Sequence, residues 1–251
     1  MEVTFLYHSA FLVEGEKADL LFDSFRGAKV PEGDKPLLVF GSHGHRDHFS
    51  EQTFDAGKVR SNVWFVLASD IDPDRVPKQW RERTIFVKSR ETHTLPGEVT
   101  VETLASTDSG VAFLVTLDGK TIYHAGDLND WYWIGEPDRD NEVMTRKYRR
   151  EIDRMSGRTL DVAFVVLDGR QESEYDRGMN YLLEHVAVGH VFPMHCWKDY
   201  SWIRKYRAEH PDLTGKTCFH EITGEGEHFS VSLGRTGSEC SCKKNEKEST
   251  S

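Results

Sequence analysis

Three histidines and an aspartate fall within the six residues His43-Gly44-His45-Arg46-Asp47-His48, directly after the apolar run Pro36-Leu37-Leu38-Val39-Phe40. Whatever fold the chain adopts must tolerate this concentration of titratable groups in one turn. Burying them together is costly unless something holds their protons off, and a divalent cation does so. An extended segment points residues i and i+2 to the same side, so His43 and His45 can approach one ion together. The turn that follows swings Asp47 and His48 round to a second position nearby. With four positions each at about one in twenty, such a string arises by accident in roughly one chain of this length in a thousand.

At these residues the chain resembles the metallo-β-lactamase fold family, whose first metal motif is His-x-His-x-Asp-His. Tyr7-His8-Ser9-Ala10-Phe11-Leu12-Val13 and Leu20-Leu21-Phe22-Asp23 resemble the opening strands of the branch that includes ascorbate-6-phosphate lactonase. Tyr123-His124-Ala125-Gly126-Asp127 is similar to the family segment whose aspartate bridges two metals. Pro193-Met194-His195 is similar to the segment carrying the last histidine. The resemblance implies an α/β chain folded as a four-layer αβ/βα sandwich, with residues 1–236 as a single domain; from Gly237 onward Ser, Glu, Lys and Cys dominate without periodicity, so 237–251 reads as a disordered polar tail. It also implies that Asp23 orients a ligand histidine from beneath. His8 either faces the same cavity or is an ordinary hydrogen-bonded strand histidine.

One departure from the family stands out. The loop that normally supplies a histidine to the first metal reads Ala105-Ser106-Thr107-Asp108-Ser109-Gly110. Asp108 can replace the histidine as an oxygen ligand, tilting the site toward a harder ion such as manganese or iron. Alternatively the first site keeps only His43, His45, Asp127 and solvent, or His93 or His124 supplies the nitrogen. The loop and the Asp127-Leu128-Asn129 that follows resemble a branch with Ser-Thr-Asp-x-Gly and His-Ala-Gly-Asp-Leu-Asn at these places.

The strand pattern supports a layered α/β domain. Apolar segments at 2–23, 36–41, 63–67, 84–87, 99–104, 110–117, 120–124 and 161–167 read as strands, and 217–233 completes the sheet. Helices are expected from Ser50, over 136–155, over 178–188 and over 202–209. In the 136–155 segment Met144, Tyr148 and Ile152 form the apolar stripe. Asp161 to Leu167 ends in Asp168-Gly169-Arg170, which sets a cation at the C-terminal edge of a buried strand. There Arg170 either grips a substrate anion or pairs with Asp168. Trp131 and its aromatic neighbours either line a substrate cleft or pack as core, and Trp197, close after His195, is expected to wall the pocket.

Composition narrows the function. A net charge of -10 argues against nucleic acid as partner, since affinity for phosphate backbones rests on clustered Lys and Arg. No apolar run reaches the length of a membrane span, and the N-terminus lacks a basic region followed by an apolar block. A cytoplasmic protein with no membrane partner is therefore expected, with its four cysteines reduced.

The resulting expectation is a metal-dependent hydrolase with one or two divalent ions, zinc first and manganese or iron as alternatives. His43, His45 and Asp127 hold the first, helped by Asp108 or water; Asp47, His48, Asp127 and His195 hold the second. Hydroxide generated there attacks an ester, lactone or phosphodiester of a small molecule, which Arg170 suits to an anionic form. Asp47 also serves catalysis by orienting the nucleophile or moving a proton. The competing expectation is a non-catalytic metal-binding or sensor protein, and an iron redox enzyme ranks last for want of an electron-carrier extension. Self-association is left open.

Overall fold

The structure, a computed structural model, describes residues 1–232. The expected tail, with Cys240 and Cys242, lies outside the described residues. Among the described residues fourteen strands make two seven-stranded sheets. The first holds β1 (Glu2–Tyr7), β2 (Ala10–Glu14), β3 (Asp19–Phe22), β4 (Leu37–Gly41), β5 (Val63–Ala68), β6 (Thr84–Val87) and β14 (His228–Ser230), in the order β14-β1-β2-β3-β4-β5-β6. The second holds β7 (Thr92–Leu95), β8 (Val99–Ala105), β9 (Val111–Leu117), β10 (Lys120–His124), β11 (Thr159–Val166), β12 (Ala187–Met194) and β13 (Cys218–Phe219), in the order β13-β12-β11-β10-β9-β8-β7.

Each sheet runs through antiparallel ladders and then parallel ones. In the first sheet pairing is antiparallel from β14 to β3 and parallel from β3 to β6. In the second it is antiparallel from β7 to β10 and parallel from β10 to β13. The two halves of the chain thus repeat one plan, although their sequences show no repeat. In such sheets, ligand groups gather outside the C-terminal ends of parallel strands.

The central parallel strands read as unbroken apolar runs because both faces are covered. In β4, Leu38 and Phe40 face the second sheet in the main core, while Leu37 and Val39 join Phe54, Phe65 and Val76 in an outer cluster. That outer layer is built by a 3₁₀ turn at Glu51–Asp55, capped by Ser50, the short helix α1 (Ala56–Val59) and further 3₁₀ turns. Helices α2 (Asp138–Asp153), α3 (Arg177–His185) and α4 (Ser201–Glu209) cover the other side. Tyr148 and Ile152 of α2 are buried, with Met144 half-buried against the same core. Together these are the four layers of an αβ/βα sandwich.

Three expectations need correcting. The helix expected over 178–188 stops at His185, because β12 begins at Ala187. The stretch 217–233 does not complete one sheet: β13 joins the second and β14 the first, closing the outer edge of each. Among the cysteines Cys196 is a buried free thiol, whereas Cys218 is disulfide-bonded rather than reduced.

Candidate metal centre

Four strand ends converge on one point. Asp23 follows β3, the histidine motif follows β4, Asp127 follows β10, and His195 follows β12. The loops close tightly because two glycines let them. Gly110 has φ +66, and a Cβ there would sit 2.0 Å from the Ser42 carbonyl; Gly126 has φ +51, and a Cβ would sit 2.8 Å from the Ser42 side chain. Only glycine fits either position without moving Ser42 and, with it, His43.

The potential ligands fall into two groups, each with its donor atoms within 4.8 Å of one another: His43, His45, Asp108 and Asp127, and His8, Asp47, His48 and His195. Asp127 stands between them. Its Oδ2 is 3.4 Å from His43 Nε2, and its Oδ1 is 3.1 Å from His48 Nε2 and 3.4 Å from His195 Nε2. In the other group His8 Nε2 lies 3.5 Å from Asp47 Oδ2, and at the mouth His45 Nδ1 lies 3.6 Å from Asp108 Oδ2.

Whether these residues suit a metal is answered by atoms left over. The Nε2 atoms of His8, His43, His48 and His195 and Oδ1 of Asp127 are buried without a hydrogen-bond partner. Buried polar atoms are rarely left so. Five of them in two adjoining clusters are a donor set that fits a divalent cation.

The other ring nitrogens are spoken for. His48 Nδ1 is 2.7 Å from Asp23 Oδ2, and His195 Nδ1 is 2.9 Å from Asp168 Oδ2. Ser42 Oγ donates to Asp23 Oδ2 at 2.7 Å and lies 2.9 Å from His43 Nδ1, so it accepts that ring's N–H. Each of these three rings thus has its Nδ1 held from outside and points its Nε2 inward, where a cation can take the place of a proton, an arrangement that also raises ligand basicity. Asp23 has the place that the family resemblance implies for it.

Charge is balanced accordingly. Burial alone would depress the His48 imidazole, but the Asp127 and Asp23 carboxylates raise its pKa well above the ordinary value. Burial would raise Asp127, yet the charge of His48 and the neighbouring His43 and His195 rings hold it well below the carboxylate range. Burial pushes His8 down to about 4. This is a centre that attracts positive charge.

His124 is not part of the donor set. Its Nε2 donates to the Ser9 carbonyl at 2.8 Å, its Nδ1 accepts from the Gly126 amide at 3.1 Å, and the ring stacks on Phe22. His93 is on β7 and pairs with Glu91. Of the three replacements weighed for the missing histidine, Asp108 alone reaches the first group.

A cavity of about 310 Å³ opens over the centre. His45, Asp47, Asp108, Asp127 and His195 floor it, and Trp131, Trp133, Met144, Arg170 and Trp197 wall it. Arg170 adopts the pairing with Asp168: its Nε sits 3.0 and 2.9 Å from the two carboxylate oxygens, with Nη2 2.5 Å from Oδ2. It nonetheless lines the cavity, so the two alternatives for Arg170 do not exclude each other. His8 enters from the β1–β2 turn at φ +47, its carbonyl accepting the His195 amide at 3.1 Å. In the sequence its place in the centre was one of two equal readings; a histidine at a strand end facing a motif-bearing loop was the available signal.

Among the described residues no helix is long and apolar enough to cross a membrane. A metal-dependent hydrolase of Methanosarcina barkeri is 29% identical over 154 residues, covering 54% of this chain and 66% of that protein, so the match spans just under two thirds of its length. One of Carboxydothermus hydrogenoformans is 28% identical over 211 residues, covering 78% and 84%. In three dimensions the chain is similar to a metallo hydrolase of Ignicoccus hospitalis, with a TM-score of 0.62 at 18% identity, covering 90% of this chain and 96% of that one. At that identity the likeness is one of fold. The model of the beta-lactamase superfamily domain matches residues 2–132, just over half of the 251. Matching family, matching layers and a histidine-aspartate centre at the strand ends lead to one conclusion: the chain belongs to the metallo-β-lactamase superfamily.

Proposed function

We propose that this protein is a metal-dependent hydrolase acting on an ester, lactone or phosphodiester of a small molecule. The observation that carries this reading is the set of five buried, partnerless donor atoms beneath an open cavity. Its relatives are named metal-dependent hydrolases, which supports the hydrolase part of the reading. His43, His45, Asp127 and Asp108 would hold one ion; Asp47, His48, His195 and Asp127 would hold a second, with His8 beside them. When bound, divalent ions supply Lewis acidity that lowers the pKa of water and polarises the bond to be cleaved. Zinc suits the imidazoles, and manganese or iron suits the oxygen-richer first group.

The chain's own residues do the rest. Asp47 is the candidate proton carrier: half-buried and open to the cavity, it is kept ionised by the neighbouring His8 and His48 rings, against the upward push of burial. Asp168 and Asp23 fix the rings that must present Nε2. Trp131 and Trp197 flank the place where substrate sits, and Arg170 faces it with positive charge.

The test is metal content by elemental analysis, alongside turnover of generic esters, lactones and phosphodiesters, before and after chelation. Near two equivalents with chelator-sensitive, metal-restored turnover support the proposal. Bound metal without turnover on any of the three bond types favours the second reading, a non-catalytic metal-binding protein. The half-exposed His45 and Asp108 are what a readily exchanging sensor site would need.

A further inference from the structure

We propose that the cavity is a slot for a planar ring, so that the substrate is a small aryl-bearing molecule with an oxyanion or equivalent acceptor beside the ring. This rests on the hydrolase reading and names its substrate class.

The argument starts from which parts of the tryptophans are free. Trp131 Nε1 donates to the Asp127 carbonyl at 2.9 Å, and Trp197 Nε1 donates to Asp168 Oδ2 at 3.2 Å. Both indole N–H groups are thus spent on the centre's own scaffold, and what these rings add to the cavity is apolar surface. Trp131 and Trp133 lie parallel, 3° apart, with centroids at 5.8 Å. Trp133 is pinned from behind, since its amide donates to Asn141 Oδ1 at 3.0 Å and its carbonyl accepts from Asn141 Nδ2 at 2.9 Å. Met144, a soft side chain that packs well on ring edges, completes that wall.

Trp197 lines the same cavity, 48% exposed, on a backbone held at φ +49. An exposed indole on strained backbone beside a polar centre is arranged for a ligand rather than for the core. Arg170 bridges the two walls, its guanidinium 4.5 Å from the Trp197 ring and 5.9 Å from that of Trp133. Asp168 engages Nε and Nη2. The remaining Nη1 has no hydrogen bond within the described residues and is the donor for an acceptor on the substrate. At about 310 Å³ the cavity is at the small end of ligand sites, matching one ring and one short polar arm.

The experiment is calorimetric titration of the metal-loaded full chain with phenylacetate and with octanoate, an open-chain carboxylate of matched size. Phenylacetate should bind at least about tenfold tighter. Trp197→Leu, at a half-exposed position that does not threaten the core, should remove most of that preference by weakening phenylacetate far more than octanoate. Arg170→Met should weaken both acids, and neutral phenylacetamide should show no such loss. Equal binding of the two acids, or a Trp197→Leu protein that keeps the preference, overturns the slot. Ester turnover and metal content on the same samples separate the two claims. Metal-loaded protein that cleaves esters without ring preference refutes the slot alone, whereas ring preference without turnover refutes the hydrolase and keeps the slot.

Discussion

The two halves of the centre are built differently. His43, His45, Asp108 and Asp127 offer two nitrogens and two carboxylates, and His45 and Asp108 are half exposed. His8, Asp47, His48 and His195 offer three nitrogens and one carboxylate, with His48 and His195 fully buried and each ring pinned by an aspartate. Donors already fixed in place lose little freedom on binding, while exposed ones must be ordered at that moment. With an ion in each half, as proposed, the second should hold its ion more tightly, and the first should exchange more readily and accept harder ions.

The severest way to break this comparison is to remove what both halves share. Asp127→Ala should strip both ions and lower turnover by about 10³-fold, the loss of several kcal/mol of electrostatic stabilisation. Elemental analysis that finds one ion retained would show that the halves are independent. Acid sets the range in which the halves can be compared. His220 is buried against Phe192 and His190, and burial with the neighbouring His190 charge lowers its pKa to about 3; His190 is lowered as well, chiefly by burial. The unfolded chain takes up these protons near 6.5 and the folded chain does not, so stability is intact above pH 6.5 and falls as pH drops toward 3. His220 alone should account for about 2–3 kcal/mol by pH 4.5. Thermal melts of His220→Phe should show a shallower acid decline; identical declines would place the acid sensitivity elsewhere.

Asp168→Asn sharpens the comparison from one side. It loosens His195 and should cost the second half about 10- to 100-fold in metal affinity, with the first nearly untouched. Equal losses in both halves, measured by competition with a chelating dye, would contradict the asymmetry. The mildest change, Asp108→His, swaps an exposed oxygen for a nitrogen and should raise zinc over manganese preference in the first half by about tenfold. An unchanged preference would mean that Asp108 does not touch the ion.

How much of this was legible in the sequence depended on distance along the chain. His43, His45, Asp47 and His48 lie in one short window whose chemistry speaks for itself, and Asp127 and His195 stand in segments that resemble family motifs. His8 was ambiguous because its role depends on the β1–β2 turn crossing to meet β12, a contact that no local pattern encodes. The Asp168–Arg170 pair was readable at a separation of two residues, whereas the grip of Asp168 on His195, 27 residues away, was not. The strands β13 and β14 were merged into one because both are short, and a burial pattern says nothing about which sheet accepts it.

The repeated ladder order gives the centre a mechanical meaning as well. His43 and His48 hang from the first sheet, Asp127 and His195 from the second, and the seam between the sheets runs through the point where their bare donor atoms meet. An ion seated there is a rivet through two plates. Removing it leaves like-buried, unpaired groups prising at the seam, so loading should stiffen the molecule as a whole and not only the loops that touch the ion.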